Sequence, residues 1–217
     1  MLPVTDPKKL SWLAPEELEG LPLLSEEERA ARRLALPPGE DFWVFGYGSL
    51  MWHPGFPHVE VRPAHLRGLH RSFCVYSHRY RGTPQAPGLV LGLDRGGSCH
   101  GMAFRVPSGE GEEVLDYLYE REMITGVYNP AWRRAETKDG PVSAITFVVD
   151  RAHQQYAGRL DHDAMVALIL QGRGNRGPCL DYLANTVHHL RALGLKDRGL
   201  ERLLKEAERL RDEKEEK

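Results

Sequence analysis

Residues 41–52, Asp41-Phe42-Trp43-Val44-Phe45-Gly46-Tyr47-Gly48-Ser49-Leu50-Met51-Trp52, open as a short apolar strand and run into a turn that carries two glycines. The stretch marks a change of texture. Residues 1–40 hold Pro3, Pro7, Pro15, Pro22, Pro37 and Pro38 and no strand pattern, whereas short apolar runs separated by glycine follow from Asp41. Those runs, at 42–48, 57–77, 88–94 and 98–106, read as strands. Within 98–106, Cys99, Gly101, Ala103 and Arg105 alternate with His100, Met102, Phe104 and Val106, which predicts one apolar face.

Working outward, the spacing predicts a helix from about Glu110 to Met123 and two further strands at 131–138 and 142–150, for a total of six or seven strands. The last third is helical: Ala164 to Leu170, then Leu180, Leu183, Val187, Leu190 and Leu193, then Leu200, Leu203, Leu204, Ala207 and Leu210 recur at helical spacing. These helices should cover the sheet in an α+β fold. On the amino-terminal side, Ser25 and Glu28 have capping-box spacing before a short helix that Pro37 and Pro38 would stop. The expected organisation is an extension over 1–40 and one domain over 41–217. At 217 residues the chain can bury a single proper core.

The 29 basic and 31 acidic residues leave a formal charge of -2, with no electrostatic footprint for nucleic acid or an anionic membrane. A small-molecule substrate is the expectation. Cys74, Cys99 and Cys179 offer neither a CxxC pair nor an even disulfide framework, and the ten histidines show no metal-ligand spacing on a predicted helix. No metal is expected. The first twenty residues have no basic region followed by an apolar one, and no stretch reaches ~18 apolar residues, so a soluble cytoplasmic protein is predicted.

Two segments carry chemistry. In the turn Gly46-Tyr47-Gly48-Ser49-Leu50-Met51, glycines let backbone approach a ligand closely, and successive free N–H groups can hold a carboxylate. A β-branched residue at Gly48 would block that approach and any positive φ. The alternative is a plain strand-end turn with Ser49 as a local cap. It is not a nucleophile elbow, because Met51 stands where that pattern needs glycine. The second segment is Glu120-Arg121-Glu122-Met123-Ile124-Thr125-Gly126-Val127-Tyr128-Asn129-Pro130-Ala131-Trp132. Leu115, Leu118 and Glu122 at i, i+3 and i+7 share one helix face, while Glu113 and Glu120 point away. Desolvation there, together with the negative end of the helix dipole, should raise the Glu122 pKa towards the range of a general base. A buried ion pair with Arg71 or Arg133 is the competing account.

Two weaker signals are discounted. Gly172-Arg173-Gly174-Asn175-Arg176-Gly177 matches G-x-G-x-x-G but follows a helical run, so it reads as a loop between helices. Cys99 and His100 are strand neighbours on opposite faces and cannot act as a nucleophile and base pair.

Val44 to Trp52 followed by Arg121 to Trp132 resembles the ChaC family of glutathione-specific γ-glutamylcyclotransferases, particularly its bacterial branch, and the resemblance runs from about Phe42 to Leu204. It implies a small mixed barrel-like sheet packed with helices. It also implies that Gly46, Tyr47, Gly48, Ser49, Leu50 and Met51 cradle the γ-glutamyl head group, that the catalytic glutamate falls on Glu122, and that Tyr182 belongs to the substrate site. The flanking Ala184 and Asn185 depart from the family's aromatic-rich version. The implied reaction closes the substrate's own α-amine onto its γ-carbonyl to release 5-oxoproline, and requires no cofactor. A cyclotransferase for other γ-glutamyl amino acids or amines is the nearest alternative, and a non-enzymatic metabolite-binding module a more distant one.

Overall fold

A computed structural model describes residues 23–215. The element order is α1 (Glu26–Ala31), β1 (Phe42–Gly46), β2 (Glu60–Ser77), β3 (Gly88–Val106), α2 (Gly111–Glu122), β4 (Tyr128–Thr137), β5 (Gly140–Val149), α3 (His162–Gln171), β6 (Arg173–Gly174), β7 (Gly177–Pro178), α4 (Cys179–Ala192) and α5 (Arg198–Glu215).

Five strands close into a barrel in the order β1-β3-β2-β4-β5. Every pairing is antiparallel except the one that closes it, β5 with β1, where Trp43 lies opposite Ala144 and Val44 opposite Ile145. The sheet is therefore mixed, as expected, and closure leaves β1 no free edge.

The strand division differs from the sequence reading. Residues 88–94 and 98–106 form one strand of 19 residues, paired to β2 along its length with register shifts between Arg67 and Leu69 and between Phe73 and Val75. Gly96 and Gly97, read as a strand end, are a bulge instead: with Gly68 opposite them in β2 they take φ of 99°, 65° and 80°, which lets the ladder bend without stopping. The expected alternation also ends early. His100 is exposed, but Gly101, Met102, Ala103 and Phe104 are all buried: Gly101 lies against Phe45 and the Gly46 carbonyl, and the Phe104 ring meets Phe56 and His58 edge-on.

Backbone approach decides the residue at position 101 of this sheet. A Cβ at Gly101 would overlap the Gly46 carbonyl oxygen and stand 2.6 Å from Phe45 Cζ. Only glycine lets β3 lie this close to β1 where β1 enters its turn.

The helices follow their sequence signals. Ser25 and Glu28 form both bonds of the capping box, at 3.1 and 2.8 Å. The helix ends at Ala31 with Arg32 as its cap, six residues before Pro37, so the prolines do not stop it. Asp161 caps α3 through the Ala164 amide at 2.7 Å, and Asp197 caps α5 through the Leu200 amide at 3.1 Å. Leu200, Leu203, Leu204 and Ala207 bury one face of α5. Residues 173–178 form a tiny hairpin between α3 and α4, in keeping with a helix-to-helix connection. No helix among the described residues is long and apolar enough to cross a membrane.

Candidate active site

Where β1 ends, the chain passes through Tyr47 and Gly48 into a single 3₁₀ turn, Ser49–Met51. The Met51, Trp52 and His53 amides turn back onto the Gly48 and Ser49 carbonyls at 2.8 to 3.3 Å. The first amides of such a turn have no acceptor within it, and residues of this turn border a cleft of about 760 Å³. Tyr47, Gly48, Ser49 and Leu50 line this cleft; Gly46 and Met51 do not. Those two shape the turn from behind, since a Cβ on Gly46 would press within 3.1 Å of Leu50 Cβ and Met51 is buried in the core.

Gly48 itself is not in the left-handed region. Its φ is −133°, and an added Cβ would meet only Leu91 Cδ1, at an ordinary 3.5 Å. The expected need for positive φ fails there, and the case for glycine rests on leaving the cleft wall open.

Arg71 holds the turn in place. Its Nε donates to the Tyr47 carbonyl, Nη2 to the His100 carbonyl at 2.6 Å, and Nη1 pairs with Asp197 at 3.1 Å. One buried guanidinium thus ties the turn to β3 and to the cap of α5. It is not a partner of Glu122, and neither is Arg133, which donates to the Trp132 carbonyl.

Glu122 ends α2 and reaches the cleft, its side chain 17% exposed. Leu115 and Leu118 are fully buried on the same face, while Glu113 is exposed. Burial raises the Glu122 pKa above the usual carboxylate value, and the neighbouring Arg121 charge opposes that rise. Arg121, which the spacing argument missed, is the ion-pair partner at 3.2 Å. Neighbours on a helix ordinarily diverge, but in this last turn Arg121 Nη1 donates to the His53 and Pro54 carbonyls and the Tyr117 hydroxyl, and Nη2 to Ser49 Oγ at 2.9 Å. The result is a staple between α2 and the glycine turn.

Three phenols surround the carboxyl. Tyr47, Tyr128 and Tyr182 line the same cleft, and burial, aided by the Glu122 charge, pushes all three above their ordinary pKa, Tyr182 to about 12. They stay protonated and able to donate. Tyr182 sits in the first turn of α4 with its ring edge-on to Phe73 at 5.7 Å, and Tyr128 donates to the Leu91 carbonyl at 2.7 Å. Tyr128 lies inside the quoted motif, yet nothing in its strand pattern marked it as facing the cleft.

The three thiols are buried and pushed up by desolvation, Cys74 to about 12 and Cys179 to about 11. None is poised as a nucleophile. Among the described residues no group of three or more His, Cys, Asp and Glu could hold a metal ion. What the cleft brings together is one buried carboxyl, several phenolic and backbone donors, and arginine.

Comparison with known proteins gives the family. A family model described as ChaC-like protein matches residues 42–210. A glutathione-specific gamma-glutamylcyclotransferase of Escherichia coli is 39% identical over 87% of this chain and 84% of its own. One from Schizosaccharomyces pombe is 33% identical over 80% and 94%. In three dimensions, a yeast γ-glutamyl cyclotransferase specific to glutathione superimposes with a TM-score of 0.71 at 21% identity, covering 78% of this chain and 96% of that one, which speaks for the fold. With the barrel and its cleft in place, a match over most of its length and relatives at these identities, the chain belongs to the ChaC family.

Proposed function

We propose that this protein is a γ-glutamylcyclotransferase that cleaves glutathione to 5-oxoproline and cysteinylglycine, with Glu122 as its acid/base. The observation that carries the reading is a carboxyl buried at the end of α2, raised in pKa, that lines the same cleft as Tyr47, Gly48, Ser49 and Leu50 of the glycine turn. The relatives in bacteria and yeast that bear this activity in their names support the choice of substrate.

The γ-glutamyl α-amine arrives as an ammonium. Glu122 accepts one of its protons, the freed nitrogen attacks the γ-carbonyl carbon, and a five-membered ring closes. The amide bond to cysteine then breaks, and Glu122 returns a proton to the departing nitrogen. As the adduct collapses the lactam nitrogen sheds its second proton to the freed Glu122 carboxylate, which passes it on to the released amine, so two protons leave one nitrogen, two reach the other and Glu122 ends as it began. Amides at Gly48, Ser49 and Leu50 hold the α-carboxylate of the head group, and the phenols of Tyr47 and Tyr182 donate to its oxygens, while Tyr128, whose hydroxyl is spent on the Leu91 carbonyl, shapes the wall beside them. Arg121 keeps α2 in register with the turn and limits how far burial raises the Glu122 pKa.

Incubating the protein with glutathione should yield 5-oxoproline and cysteinylglycine in equal amounts. Release of glutamate in place of 5-oxoproline, or turnover of γ-glutamyl amino acids alone, would contradict the assignment.

We also place the catalytic domain at residues 41–217. Residues 24–34 lie against the back of α2 and the segment after it: Leu24 bonds Ile124, Arg32 bonds Gly126 and Asn129, and the Tyr119 hydroxyl joins Leu34 to Arg32. None of these extension residues lines the cleft. A protein starting at Glu40 should lose a few kcal/mol of stability, at ~0.5–1.5 kcal/mol per hydrogen bond, yet keep its turnover per folded molecule. A folded but inactive truncation would move the domain boundary upstream.

A further inference from the structure

One wall of the cleft has no part in the chemistry above. It is built from His78, Arg79, Tyr80 and Arg81, in the loop between β2 and β3, and from Arg176 in the turn between β6 and β7. The two loops pack backbone to backbone. The Asn175 and Arg176 amides donate to the Arg79 and Tyr80 carbonyls at 2.8 and 3.0 Å, and Gly82, Gly88, Gly172 and Gly174 leave no room for a Cβ against this junction. A wall assembled this closely has a defined shape.

Its charge is one-sided. Arg79, Arg81 and Arg176 share the wall, and among the described residues that line the cleft Glu122, already paired with Arg121, is the only carboxylate. Arg81 is fixed by two bonds from Nη1, to the Arg176 and Pro178 carbonyls, and lies 5.3 Å over the Tyr182 ring. The Arg176 guanidinium lies 5.4 Å over Tyr80. Tyr182 links the two ends of the cleft, because its phenol feels both the Glu122 carboxylate and the Arg81 charge.

Glutathione at neutral pH carries one ammonium and two carboxylates. Glu122 takes the ammonium and the glycine turn takes the α-carboxylate, which leaves the glycine carboxylate. It lies two residues beyond the scissile bond, roughly 7 Å when extended. The geometry points to Arg79 and Arg176, steadied by Arg81, as the receptor for that C-terminal carboxylate, and so as the residues that set specificity for a cysteinylglycine leaving group. The inference rests on the glutathione reading of the same cleft. It explains how one cleft would prefer a tripeptide to γ-glutamyl amines, which place no anion there.

The test compares glutathione with its glycinamide analogue, which lacks only the C-terminal charge. In the wild-type protein the analogue should show KM raised about tenfold or more, in line with loss of a charge-assisted hydrogen bond, with kcat little changed. The Arg79→Gln, Arg176→Gln double variant should show the same rise for glutathione itself and no further rise for the analogue. Arg176→Lys should recover part of the loss. Equal KM for the two substrates in the wild type overturns the inference but leaves the proposed function standing. Should the double variant fail to fold, Arg176→Gln alone, at an exposed position, carries the residue test, and a glutathione KM equal to that of the wild type there overturns the inference. A wild-type protein that makes no 5-oxoproline from either substrate would remove the proposed function itself.

Discussion

Replacing Glu122 by glutamine is expected to cut 5-oxoproline release from glutathione by ~10²- to 10⁴-fold while leaving the fold and substrate affinity in place. Glutamine keeps the size of the side chain and loses the group that accepts a proton. Its effect on stability separates catalysis from architecture. Burial raises the folded-state pKa of Glu122 above its unfolded value, so the penalty for ionising it is absent below the unfolded pKa and develops as pH rises through the folded one. Glu122→Gln should therefore melt at or above the wild type at neutral pH, with the difference vanishing below the ordinary carboxylate range. Were Glu122 only half of a structural ion pair, the variant would strand a buried cation and lose about 3–5 kcal/mol with activity intact. The geometry favours the first outcome, since Arg121 keeps its bonds to His53, Pro54, Tyr117 and Ser49 when the carboxylate is gone. Glu113→Gln, at an exposed position of the same helix, serves as the control, since Glu120 is half-buried.

Gly101→Ala should act on the fold itself. The added methyl group runs into the Gly46 carbonyl oxygen and the Phe45 ring, and a backbone atom cannot turn aside as a flexible side chain can. Overpacking typically costs ~1–3 kcal/mol, and the backbone obstacle places this substitution at the upper end. For a chain of this size about 3 kcal/mol lowers the melting temperature by roughly 6–12 °C. Activity should fall beyond what unfolding explains, because β1 leads directly into the cleft-lining turn and the clash forces them to move together. Gly109→Ala, with nothing within 4 Å of the new Cβ, should be silent in the same melt. An unchanged melting temperature for Gly101→Ala would mean that the barrel is looser than its register implies.

How far the sequence could be read depended on whether a property was local. The face of α2 that buries Leu115, Leu118 and Glu122 follows from 3.6 residues per turn, and the caps at Ser25 and the helical last third follow from equally local patterns. Arg121 did not, because its role comes from curling back across the last helical turn to Ser49, a residue 72 positions away. Glycine misled twice. Gly96 and Gly97 looked like a strand end and are a bulge in one long strand, and Gly48 was credited with a positive φ that it does not have. Barrel closure through the parallel pairing of β1 with β5 is a long-range fact that no periodicity encodes. The basic wall is of the same kind. Arg79, Arg81 and Arg176 come from loops nearly a hundred residues apart, and only the close glycine packing between those loops brings them to one cleft.

The central claim, that a buried and raised Glu122 carboxylate takes the proton that starts ring closure, is tested most directly by the pH dependence of kcat/KM for glutathione. Glutathione's own carboxyls titrate below the relevant range and its amine and thiol above it, so the acid limb reports the enzyme. The limb should fall above the ordinary glutamate value of 4.5, and Arg121→Gln should move it higher still, since the Arg121 charge is what holds it down. A rate that stays flat through 4.5 and below, or an acid limb that ignores Arg121, would contradict the account.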